Sequence, residues 1–366
     1  MGERNPPPKA NFQQLLKKSL SQILARFYSF SGRINDDYTL INCNNYGVPF
    51  FEAFAHNYYL DEIIEPNSYM KLLRRFLLES LLSPTIPILV QVTFFECGGM
   101  TIGICASHKI TDAPTLNTFI NGWAIAAHRD PQATMLDFVP TAKFLPPVDN
   151  NQLQLLFLQP KKVNNVTKIF FFDAPRITTL KAKAVSDNVL VPTRVEALST
   201  LIGNENKDKV DLPDLVLLLR KGLLEFHDEY ENKRRGHTSI LEIVNDAMGI
   251  EAQIERDDME MYNFTSWCRF QFYDADFGWG SPLWVSRIEF EATNHVLLMD
   301  TRCGGGIKAW VSLDKEEMKI FFPTDNYIFL CSREINHIHV FTWMISVYFM
   351  DNVCNFPSVL SSGCPH

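Results

Sequence analysis

The stretch from Phe94 to Ala124, FFECGGMTIGICASHKITDAPTLNTFINGWA, constrains the fold more than any other. LVQVTFFE and TIGICAS are runs rich in β-branched and aromatic residues, and the C-G-G-M between them supplies glycines where a hairpin turn needs positive φ. His108 follows the second run directly. Asp112-Ala113-Pro114 then has the composition of a helix start, with Asp as cap and Pro in the first turn. A helix running to about His128 would bury Leu116, Phe119, Ile120, Trp123 and Ala127, so His108 sits where a strand hands over to a helix.

A histidine with an aspartate four residues on admits three explanations. In the first, Asp112 caps its helix and His108 fills a polar pocket. A metal site is the weakest, because no third ligand lies at useful spacing and His337 and His339 belong to an unrelated region. In the third, His108 is a general base: an imidazole can take a proton near neutrality from an alcohol that attacks an acyl carbon. The spacing alone leaves these open.

Elsewhere, Phe12, Leu15, Leu16, Leu20, Ile23, Leu24 and Phe27 recur at helical steps, and a second helical pattern runs from about Tyr69 to Leu82. Residues 146–165, within a segment rich in proline and asparagine, are expected to be a crossover linker between a lobe at 1–145 and another at 166–321, with an atypical tail at 322–366. The second lobe opens with a strand TKIFFFD, a helix from Pro175 to about Asp187, a helix at VPTRVEALSTLI and a long helix from Pro213 to about Glu231. FTSWCRFQFY, LWVSRIEF, HVLLMDTR and IKAWVSL read as strands. Two blocks of strands and helices predict two α/β lobes with mixed sheets.

A formal net charge of -8 argues against nucleic acid, whose backbone needs a dense Lys/Arg face. The longest apolar tract, Val340 to Met350, is too short for a bilayer that needs about 20 residues. Eight scattered cysteines without a C-x-x-C pair, and no signal peptide, predict free thiols in a reducing, cytoplasmic setting. The sequons at Asn165 and Asn263 then read as chance matches.

Asp276-Phe277-Gly278-Trp279-Gly280 is a turn in which two glycines flank a tryptophan, and by itself it is a tight loop between strands. Joined to H-x-x-x-D in this order, and to FFECGG, SHKITD, PPVDN, TSWCRF and LLMDTRCGGGIKAWVSL, it resembles the BAHD family of plant acyl-CoA-dependent acyltransferases, most closely its vinorine-synthase-like branch. The resemblance covers about Asn11 to Phe321. It implies a two-lobe chloramphenicol-acetyltransferase-like α/β fold with a channel between the lobes. The implied reaction moves an acyl group, acetyl in this branch, from coenzyme A to a hydroxyl of an alkaloid or terpenoid alcohol. Acyl-CoA would be a co-substrate, with no permanently bound cofactor and no metal, and the protein a monomer without nucleic-acid or membrane partners.

The family likeness also assigns roles. His108 would deprotonate the acceptor, Thr265 and Trp267 would help stabilise the oxyanion, and no covalent acyl-enzyme would form. Asp112 would keep site geometry through an arginine, Asp276 to Gly280 would be structural support, and Thr193 and Arg194 would lie close to coenzyme A. The chain departs from the pattern in three places: an opening strand is lacking, a second-lobe segment after TLIG that carries the arginine paired with Asp112 is missing, and the tail is aromatic and patternless. The alternative to an active transferase is therefore an inactive relative.

Overall fold

The computed structural model describes residues 9–35, 40–60, 83, 85–128, 165–204, 210–235, 261–287, 293–321 and 343–349. The helical pattern at 69–82 and nearly all of the expected linker lie outside the described residues. The chain divides into two compact units, Met1–Asn150 with Phe270–Glu289 and Ser332–His366, and Asn151–Arg269 with Phe290–Cys331.

In the first unit, helix α1 (Lys9–Leu24) follows the expected periodicity and buries Phe12, Leu16, Leu20 and Ile23. A short ribbon pairs β1 (Arg33–Ile34) with β2 (Ile41–Asn42). The hairpin read from the sequence is β4 (Ile88–Phe95) and β5 (Met100–Ala106), antiparallel, with Gly98 at φ +86 in the turn. Every residue of both strands is buried. They are central in a five-stranded mixed sheet of order β3-β4-β5-β11-β8, with β3 at Phe50–Ala55, β8 at Trp284–Arg287 and β11 at Trp343–Phe349. The tail expected to lack pattern thus supplies a strand parallel to both β5 and β8.

Helix α2 (Ala113–Ala127) buries Leu116, Phe119, Ile120, Trp123 and Ala127, as its spacing predicts. It approaches α1 closely at Gly122, where a Cβ would stand 2.9 Å from Ile23 Cδ1. The Trp123 indole N–H donates to Leu16 O at 3.2 Å and Ser19 Oγ at 3.0 Å, so the buried ring keeps its polar atom satisfied.

In the second unit, β6 (Asn165–Phe172), β10 (Ile307–Asp314), β9 (His295–Asp300) and β7 (Asn263–Ser266) form a mixed sheet in that order. Alternate residues of β10, namely Ile307, Ala309, Val311 and Leu313, face a core with Phe170, Phe172, Val296 and Leu298. Helices α3 (Ala174–Lys183) and α4 (Arg194–Gly203) close this core with Ile177, Leu198 and Ile202. Large side chains buried in this way contribute about 1.5–3 kcal/mol each. Helix α5 (Leu212–Arg235) buries Val216 in a second cluster with Ala184, Val189 and Ala197, and α6 (Lys315–Phe321) follows β10.

Three further expectations change. FTSWCRFQFY is not one strand: β7 stops at Ser266, Arg269 takes φ +72, and Phe272–Asp274 is a 3-10 turn. The Asp276–Gly280 turn belongs to the first unit and not to a lobe continuous from 166 to 321. Cys43 is disulfide-bonded, a departure from an all-thiol chain, while Cys97, Cys105, Cys268 and Cys303 carry thiols outside disulfides. At the first sequon, Asn165 Nδ2 donates to Ser312 Oγ at 3.0 Å along the sheet.

Candidate active site

At the end of β5 the Ser107 N–H donates to Pro87 O at 2.9 Å, and Ser107 O accepts from Ile110 N and Thr111 N, both at 3.2 Å. These bonds turn the chain out of the sheet and hold His108 half-buried at the bend. Asp112 is extended (φ −103, ψ 177), and its Oδ1 accepts the Thr115 N–H at 2.9 Å, with Pro114 in the first turn of α2. Its side chain is exposed, and among the described residues no arginine pairs with it. Solvation and capping therefore satisfy a carboxylate that would be costly to bury alone.

The Asp276–Gly280 turn is built on one carboxylate oxygen. Asp276 Oδ1 accepts from Gly278 N at 2.7 Å and Gly280 N at 2.8 Å, with His128 Nε2 at 3.5 Å. Burial pushes this carboxyl up, but the two N–H donors and His128 outweigh it and hold it below its ordinary value. Gly278 (φ +107) and Gly280 (φ +100) adopt backbone that side chains disfavour. The turn presents Phe277 edge-on to Trp123 at 5.0 Å and Trp279 edge-on to Phe12 at 4.7 Å. It thus staples α1 and α2 together and supports the helix that follows His108.

The second unit holds the other predicted residues. Thr193 caps α4 with a capping box: its Oγ1 accepts from Glu196 N at 3.1 Å, and its N–H donates to Glu196 Oε2 at 2.7 Å. Arg220 of α5 grips the same carboxylate through Nε at 2.8 Å and Nη2 at 2.7 Å. The guanidinium is the main reason that the Glu196 carboxyl is held down at about 2, against an opposing push from burial and with help from Thr193.

Arg194 lies at the start of α4, its Nη2 2.9 Å from Asp300 Oδ1. The angle is poor for a hydrogen bond, so this contact is an ion pair. A cavity of 260 Å³ is lined by Thr193, Arg194, Val195, Ser266, Cys268 and Arg269. Burial pushes the Cys268 thiol up to about 11, so it stays protonated and is no nucleophile at neutral pH.

Thr265 is half-buried in β7, paired in register with Leu297. Trp267 is 2% exposed, and its N–H makes the last ladder bond, to Leu298 O at 2.7 Å. The structure thus gathers Thr193 and Arg194 at one cavity with the residues flanking Trp267. His108 and Asp112 share the first unit with the Asp276 turn. Sequence reasoning missed Asp300, Glu196 and Arg220; an Asp ending the apolar run HVLLMD and the T-x-x-E cap signature were the signals available. Among the described residues no cluster of His, Cys, Asp or Glu could hold a metal, and no described helix is long and apolar enough to cross a membrane.

Known proteins align with this framework. The model of the Transferase family matches residues 3–207 and 218–326. Vinorine synthase of Rauvolfia serpentina is 31% identical over 366 aligned residues, covering 84% of this chain and 83% of that protein. Stemmadenine O-acetyltransferase of Catharanthus roseus is 30% identical, over 85% of this chain and 83% of its own. The crystal structure of vinorine synthase superposes with a TM-score of 0.70 at 28% identity, covering 87% of this chain and 85% of that one. The complex of F. sporotrichioides TRI101 with coenzyme A and T-2 gives 0.61 at 12% identity, over 88% and 92%, a likeness of fold.

Proposed function

The chain belongs to the Transferase family, the BAHD acyl-CoA-dependent acyltransferases, and on that premise we propose that it moves an acetyl group from coenzyme A to a hydroxyl of an alkaloid or terpenoid alcohol. The observation that carries the reading is the half-buried His108 held at the exit of β5, in a chain whose relatives include a stemmadenine O-acetyltransferase.

In this reaction the His108 imidazole accepts the acceptor's hydroxyl proton as its oxygen attacks the thioester carbonyl. The tetrahedral oxyanion collapses, the C–S bond breaks, and the proton returns to the sulfur to release coenzyme A. Thr265, half-buried in β7, donates its hydroxyl to the oxyanion, a kind of contact worth a few kcal/mol. The buried Trp267 fixes the exit of β7, so its part in oxyanion stabilisation runs through Thr265. Thr193 and Arg194 offer a helix start and a cation to a phosphate of coenzyme A. Asp112 and the Asp276–Gly280 turn hold the scaffold.

The enzyme acts as a monomer in the cytoplasm on small molecules alone, without nucleic acid or membrane. A cytoplasmic location calls for a reduced Cys43 in the cell, which differential alkylation reads. Incubating the purified chain with isotopically labelled acetyl-CoA and a panel of alkaloid and terpenoid alcohols tests the function. One labelled ester supports it. The solvated Asp112, without an arginine among the described residues, favours a second reading: an inactive relative. Coenzyme A binding with no ester from any alcohol would select that reading.

A further inference from the structure

The left-handed Arg269 stands where a sheet ladder stops. In the parallel pair of β7 and β9, Ser266 lies opposite Leu298, and Trp267 N donates to Leu298 O at 2.7 Å. The next ladder bond in such a pair would run from Arg269 N to the carbonyl of Asp300. Instead Arg269 turns to φ +72, and its N–H donates to the side-chain Oδ2 of Asp300 at 2.7 Å. An arginine in this region is disfavoured and persists only where neighbours hold it. The other oxygen of the same carboxylate, Oδ1, lies 2.9 Å from Arg194 Nη2. Arg194 and Arg269 both line the cavity, together with Ser266 and Cys268 on either side of Trp267.

We propose that Asp300 is a positioning residue of the transfer site: its carboxylate aims Arg194 into the cavity and pins the backbone of Arg269, and so sets the exit of the strand that carries Thr265 and Trp267. The assignment rests on the acetyl-transfer reading and deepens it, because one side chain couples the coenzyme-facing cation to the oxyanion-facing strand. Asp300 touches neither substrate in this account. It acts through Arg194 on coenzyme affinity and through Arg269 on turnover, two effects that different substitutions separate.

Asp300→Asn keeps an oxygen for the Arg269 N–H and removes the charge facing Arg194. It is expected to raise KM for acetyl-CoA roughly tenfold with a smaller effect on kcat, as a misaligned positioning group does. Asp300→Ala removes both contacts and is expected to lower kcat roughly tenfold as well. Adding Arg269→Gly to Asp300→Ala relieves the left-handed backbone, and kcat is expected to recover. Melting midpoints of the wild type, Asp300→Ala, Arg269→Gly and the double variant form a cycle that needs no activity, and the proposal requires that it be non-additive. Unchanged kinetics in folded Asp300 variants, a lower KM in Asp300→Asn, or strict additivity of the cycle overturns it. Should the wild type transfer no acetyl group, the functional reading fails, and titration with coenzyme A decides this one. Weaker binding by Asp300→Asn upholds the clamp, and equal or undetectable binding removes it.

Discussion

An aspartate that accepts the N–H three residues ahead of it at 2.9 Å has one carboxylate oxygen committed to its helix, and Asp112 is in that position. Asp112→Ala is expected to lose about 1 kcal/mol in urea unfolding, and Asp112→Asn only a few tenths, because asparagine caps nearly as well. A larger loss with Asn would mean that the charge has a second task. Glu196 gives a pH signature. Its folded pKa, about 2, lies below the ordinary 4.5, so its contribution to stability is complete above about pH 4.5 and is lost as pH falls towards 2. Arg220→Met removes the main cause, and the variant is expected to lose about 2 kcal/mol at neutral pH and show a flatter acid limb. Parallel acid limbs in the two proteins would contradict the pairing.

At the scale of elements, the Asp276 turn and β11 make opposite demands on sequence reading. Asp276→Ala removes the acceptor of the exposed Gly278 and Gly280 N–H groups and is expected to cost about 1 kcal/mol, read from the melting midpoint, by loosening the contacts of Phe277 and Trp279 with α2 and α1. Strand β11 lies between β5 and β8, so truncation before Trp343 would leave two ladders of the central sheet unmatched. The truncated chain is expected to be insoluble or to unfold without a cooperative transition. A truncated chain with an unchanged melting midpoint would show that the tail is dispensable.

Across the whole molecule, what was legible in the sequence was local. The β4–β5 hairpin, the Asp112 cap and helices α1, α2, α4 and α5 follow from spacing and end signals within a few residues. What was not legible depends on distant partners. β7 ends early because Arg269 finds its acceptor 31 residues away on Asp300, which no window of the chain reveals. The Asp276 turn packs with the N-terminal unit through Phe12, at the far end of the sequence. Of the candidate site, the strand end at His108 and the helix start at Thr193 were legible as local patterns, while the Asp300 and Arg220 contacts around that helix start were not.

Coenzyme A thiol release from acetyl-CoA, followed with an accepted alcohol for the wild type and for His108→Ala, bears most directly on the central claim. Loss of a general base predicts a rate at least about 100-fold lower for the variant at matched folding. Equal rates for the two proteins would remove His108 as the base.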